Sequence, residues 1–156
     1  MSKFTIRYDN VSKLWVTLAN TVTDDSIWPQ PGCTFTKPGA ATTTPAPCCG
    51  ATELVTCHAC AWCRAQSRNL LTLNTSPDLV NWSVRATVMS DDTGFTPWAS
   101  ELYTGFQYVD WQFDGTDGDN LIALVRAGYR GSQCGHNANR ILFKLVPAWR
   151  TLLTTP

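Results

Sequence analysis

Apolar residues in this chain recur at every second position in short runs closed by turn-forming residues, and a period of two belongs to β-strands. In residues 3–8 Phe4, Ile6 and Tyr8 share a face, and the turn formers Asp9-Asn10-Val11-Ser12 lead into a second run, 14–19, which predicts a hairpin. A third run, 69–74, passes through Thr75-Ser76-Pro77-Asp78 into a fourth, 82–89. After the polar stretch 90–94 come runs 106–113, 121–126 and 140–146. No stretch holds an apolar stripe at the helical period for the ~11 residues of an average helix. The pattern predicts an all-β chain forming a single domain over its 156 residues.

Residues 24–67 break that pattern. They contain Pro29, Pro31, Pro38, Pro45 and Pro47, the run Thr42-Thr43-Thr44, and six of the seven cysteines. A connection of this length is unusual in a compact domain, so this Cys/Pro/Thr-rich insertion is expected to be cross-linked, metal-bound or mobile. Cys57, Cys60 and Cys63 recur every third residue, with Cys33 and the adjacent Cys48 and Cys49 upstream. Two readings compete. The thiolates converge on zinc with His58 or an upstream Cys as fourth ligand, or the six cysteines form three disulfides in an oxidising compartment, leaving Cys134 over. A structural zinc site usually repeats a two-Cys knuckle, and one such half is present here, so disulfides are the favoured reading and no metal ligand or cofactor is assigned.

Composition narrows the function classes. Twelve basic and twelve acidic residues give a formal net charge of zero, and charged residues make up 15% of the chain against roughly a quarter in a typical globular protein. No polybasic surface is available for phosphates or anionic lipid, so neither nucleic acid nor a membrane is an expected partner. No apolar run reaches the ~20 residues of a membrane span, and the first ten residues do not read as a leader. An extracellular location is nonetheless expected from the cysteines. The sequons Asn10-Val11-Ser12, Asn74-Thr75-Ser76 and Asn81-Trp82-Ser83 are compatible with it.

The segment Ser76-Pro77-Asp78-Leu79-Val80-Asn81-Trp82 resembles the Asp-box turn of glycosidase β-propellers, and the pieces around it follow in a family order. They are 3–9, then Arg68-Asn69-Leu70 before the turn, then Gly105-Phe106-Gln107-Tyr108-Val109-Asp110-Trp111-Gln112-Phe113-Asp114-Gly115. Next come 122–129, and last His136-Asn137-Ala138-Asn139 running into 140–143. Together they resemble the C-terminal part of the sialidase-like, BNR-repeat glycoside hydrolase family, over 3–20 and 68–150. The chain departs from the family pattern at Asn137 and Val125, where Asp and Ser are usual, and in the Cys-rich insertion.

The resemblance implies a partial β-propeller of about two blades: one with four strands at 3–8, 14–19, 69–74 and 82–89, and one with three. Two blades do not close a ring of the usual 4 to 8. The expected partners are therefore the missing blades or further copies of the chain, besides a glycan or glycoside. The implied activity is hydrolysis of terminal sugars, with a non-catalytic carbohydrate-binding or scaffold propeller as the alternative.

The period of two places Tyr108, Asp110 and Gln112 on one face of the 106–113 strand. Under the resemblance Asp110 is the candidate general acid/base. Arg126 ends an apolar strand, and with Arg68 it is a candidate for gripping a substrate carboxylate through the bidentate guanidinium fork. Tyr129 is a candidate stacking platform, and His136 and Asn139 are candidate sugar ligands. Tyr108 completes the expected substrate-binding set. Arg7, Arg85 and Arg150 read as ordinary strand-face or terminal charges. Glu101 and Tyr103 share a face if 98–103 is extended, and carry little weight as a nucleophile pair.

Overall fold

A computed structural model of the chain describes residues 4–21, 68–96, 100, 101, 103–130, 132 and 135–154. The entire 24–67 insertion, all seven cysteines and both readings of them lie outside the described residues. Among the described residues seven strands form two antiparallel sheets: β1 Ile6–Asp9, β2 Leu14–Asn20, β3 Leu70–Ser76 and β4 Ser83–Ser90 in the first, then β5 Gly105–Asp114, β6 Asn120–Gly128 and β7 Arg140–Val146 in the second. Each sheet runs in chain order, and β2 pairs directly with β3 despite the long connection between them. The described residues are mainly β as expected, and each predicted run becomes a strand, 140–146 with both ends unchanged and the others with ends displaced by at most three residues.

Local chemistry closes the turns. Between β1 and β2 the Ser12 amide donates to Asp9 Oδ2 at 2.8 Å and the Lys13 amide to the Asp9 carbonyl at 2.9 Å. Between β3 and β4 the carboxylate of Asp78 accepts from the amides of Val80 and Asn81 and from the Asn81 side chain, while the Asp78 amide donates to Ser76 Oγ. The bonds to the carboxylate, led by those from Asn81 and joined by the Ser76 hydroxyl donating to Oδ1, hold the Asp78 carboxyl well below the usual carboxylate range. The Trp82 indole donates to the Leu79 carbonyl at 3.1 Å. Of the sequon asparagines, Asn10 and Asn81 are exposed; Asn74 is buried, its amide donating to Thr72.

One apolar core lies between the sheets. Val16, Leu18, Leu71 and Leu73 from β2 and β3 meet Val109, Trp111, Leu121, Ala123 and Val125 from β5 and β6. Polar groups stitch the same seam: the Asn20 side-chain amide donates to the carbonyls of Arg68, Leu70 and Phe106, and the Trp111 indole to the Thr5 carbonyl. At the far end Trp149, fully buried, stacks on Phe113 with ring centroids 5.8 Å apart and opens a 3-10 helix, Trp149–Thr154.

Two features depart from the sequence expectation. Ser100, Glu101 and Tyr103 are helical: Ser100 N donates to the Thr96 carbonyl and Thr104 N to the Ser100 carbonyl, so the extended arrangement that would align Glu101 with Tyr103 is not adopted. Within β5, a bulge interrupts the ladder between Gln107 and Asp110, where Tyr108 takes a left-handed backbone with φ of 50°.

Candidate functional site

The bulge divides β5 into two phases. Below it Val109 and Trp111 point into the core, while Asp110 and Gln112 face out. Above it Gln107 pairs with Arg126, and Phe106, opposite Ala127, joins the core. A regular period of two puts Gln107 on the apolar side with Val109; the extra residue turns it to the face that carries Arg126. There the 135–139 loop covers it completely.

Arg68, buried just before β3, enters this end of the molecule through a parallel bridge to Gly105, with the Phe106 amide donating to its carbonyl at 2.8 Å. Its guanidinium donates to Gln107 Oε1. The same nitrogen lies 3.3 Å from His136 Nδ1. A guanidinium has no acceptor, so a bond between the two requires Nδ1 to accept. Gln107 Nε2 donates to the carbonyls of Gly135 (2.6 Å) and His136 (2.9 Å), and Arg126 also donates to the His136 carbonyl, at 3.3 Å. Burial first, and then the charges of Arg68 and Arg126, push the His136 imidazole below its ordinary value of 6.5.

Two glycines make this approach possible. A Cβ on Gly135 would lie 2.7 Å from the Thr104 carbonyl oxygen, and one on Gly105 would collide with the Gly135 carbonyl. Both obstacles are backbone, so side chains at these positions would push the loop away from β5.

The sequence-predicted residues divide into three groups. Arg68, Arg126, Tyr108 and His136 come together: the Arg126 guanidinium sits 5.2 Å from the centroid of the half-exposed Tyr108 ring, a cation–π contact. Asp110 lies two residues along the same outer face, with its side chain 82% exposed and its carboxylate 3.8 Å from Arg7. Tyr129 and Asn139 form a separate unit: the Asn139 side chain accepts from the Tyr129 amide and donates to the Tyr129 carbonyl, and Arg130 and Arg140 flank the ring. Both polar ends of Asn139 are thus engaged in closing its loop.

Gln107 is the residue sequence reasoning missed. Its signal is a long polar side chain within an apolar strand, readable only once the bulge is known.

The outer face of the second sheet carries apolar side chains beside this cluster. Phe143 is 65% and Leu124 55% exposed, paired across the strands, with Ile141 and Leu145 exposed alongside. Among the described residues no helix is long and apolar enough to cross a membrane, and no group of three His, Cys, Asp or Glu side chains is placed to hold a metal ion. Comparison of the chain with family models, with curated proteins and with solved structures returns no match.

Proposed function

We propose that this protein is part of a sialidase-like glycoside hydrolase, acting on terminal sugars of glycans outside the cell, with Asp110 as general acid/base and Arg68, Arg126, Tyr108 and His136 as the sugar-gripping set. The observation that carries the reading is the convergence of Arg126, the half-exposed Tyr108 ring and His136, held neutral by its surroundings, on a sheet face that also carries the exposed Asp110, with the buried Arg68 guanidinium behind His136. Guanidinium and imidazole N–H groups suit sugar hydroxyls and carboxylates, and a tyrosine ring suits the apolar face of a pyranose. The propeller part of the proposal draws support from the four-stranded and three-stranded antiparallel sheets, from the turn built around Asp78, and from the apolar outer face, which a neighbouring blade or a further copy of the chain would cover.

A carbohydrate-binding role without hydrolysis is the second reading. It is favoured by one observation: the charged partner of Asp110 is Arg7, whereas glycoside hydrolysis ordinarily uses a pair of carboxyl groups across the scissile bond. Incubation with sialyl and other aryl glycosides separates the two. Hydrolysis that disappears in Asp110→Asn supports the catalytic reading; equal turnover by the variant refutes the role of Asp110. Glycan binding without turnover in the parent establishes the second.

A further inference from the structure

The amide of Gln107 can be oriented without ambiguity. It is fully buried, one end faces a guanidinium that only donates, and the other faces two carbonyl oxygens that only accept. Rotating the amide by half a turn would set its NH2 against Arg68 and its oxygen against the Gly135 and His136 carbonyls, losing all three bonds. The residue therefore joins the two halves of the site: its oxygen holds Arg68, and its nitrogen holds the backbone from which His136 projects.

The groups around it are fixed in turn. The Arg68 carbonyl is tied by the Phe106 amide and the Asn20 side chain, and the His136 carbonyl accepts from Arg126 as well as from Gln107. With both ends anchored, the Arg68 nitrogen is presented to His136 Nδ1 at 3.3 Å. We infer that Gln107 is a positioning residue that, through Arg68 and the 135–136 backbone, fixes the His136 imidazole in a single tautomer as an Nε2–H donor. The inference rests on the glycan reading only for what that donor addresses, a sugar hydroxyl or carboxylate oxygen; the positioning itself rests on the hydrogen-bond geometry.

Ring-15N-histidine spectra of the full chain test it. The chain has two histidines, so a His58→Gln background leaves the His136 signals alone. Above pH 6.5 the background protein is expected to show one Nε2–H tautomer, rather than the exchanging mixture of free histidine, and a titration midpoint below the ordinary ~6.5. Adding Gln107→Met, which keeps the length and removes all three bonds, is expected to bring back the mixture and raise the midpoint, with the Trp111 indole resonance unmoved as the mark of an intact core.

An Nδ1–H tautomer in the background protein overturns the proposal without any variant, and so does a folded Gln107→Met whose His136 signals are unchanged. If Gln107→Met loses the indole resonance, Gln107→Glu replaces it: that side chain still accepts from Arg68 but repels both carbonyls, and the same return to a mixture is expected. Sialyllactose provides the separate arm. A shift of the Nε2–H signal on its addition extends the inference to the sugar, and no shift with the tautomer as expected refutes the glycan reading while upholding the positioning role.

Discussion

Replacing Arg150 tests how the two sheets are locked together at the end remote from the candidate site. Its guanidinium donates to both oxygens of Asp9, from Nε at 2.9 Å and from Nη2 at 2.6 Å, and also to Asp119 Oδ1 and the Asp117 carbonyl. It thus ties the C-terminal 3-10 helix to the β1–β2 turn. The Asp9 side chain is 5% exposed and that of Arg150 16%, so truncating the arginine strands a buried carboxylate. Removing one partner of such a pair costs about 3–5 kcal/mol, and the residual access to water places this one near 3. The Asp119 branch, largely exposed, adds roughly 0.5 kcal/mol at most. For a chain of this length 1 kcal/mol corresponds to roughly 2–4 °C in Tm. Arg150→Ala should therefore melt roughly 6–12 °C below the parent at pH 7, and Asp119→Asn no more than roughly 2 °C below.

The pH dependence has a definite sign. Burial alone would raise the Asp9 carboxyl, but the bonds from Arg150 and Ser12 outweigh it and hold the group well below its ordinary 3.8. A depressed carboxyl stabilises the fold fully above its unfolded value and loses that contribution as pH falls below it. The gap between parent and Arg150→Ala should accordingly narrow between pH 5 and pH 3. Calorimetric scans across that interval decide the matter. An Arg150→Ala protein that melts with Asp119→Asn at pH 7, or a gap of equal size at both ends of the interval, refutes the reasoning.

Two other substitutions probe the seam and the site. Asn20→Asp keeps the shape but exchanges the donor facing the Arg68, Leu70 and Phe106 carbonyls for an anion; a loss of about 1–3 kcal/mol in urea unfolding is expected, and a neutral result would show that the stitch contributes nothing. Gly135→Ala should lift the 135–139 loop from β5, returning the His136 midpoint upward while the core stays folded. An unchanged titration would mean that the loop accommodates a methyl group.

The strands were legible because their signal is local. Val16 and Leu18, or Trp111 with Val109, announce a buried face by alternation alone, and Asp78 with its neighbours announces a turn. The register of β5 was not legible in the same way. A single extra residue at 108–109 reverses which face Gln107 and Phe106 occupy, and no composition rule marks its position. Arg150 escaped for another reason: read as a terminal charge, it acquires its role from Asp9, 141 residues away in the chain. Arg126 stands out as a charge ending an apolar strand, Tyr108 by the period of two, and Arg68 and His136 through the family resemblance, but their convergence depends on Gly105 and Gly135 letting two backbones meet, which no single motif encodes. Asn139 looked like a ligand because asparagine serves sugars and turns equally well; its two bonds to the Tyr129 backbone place it with the turns.

The left-handed backbone at Tyr108 bears on how such a domain is engineered or drifts. A bulky residue in that conformation costs on the order of 1–2 kcal/mol, which glycine avoids. Selection for stability alone would therefore fill position 108 with glycine or asparagine, and the ring beneath Arg126 would be the first part of the site to vanish from a thermostabilised lineage. A tyrosine retained there among descendants would record continuing demand for the aromatic surface, and its loss would date the point at which that demand ended.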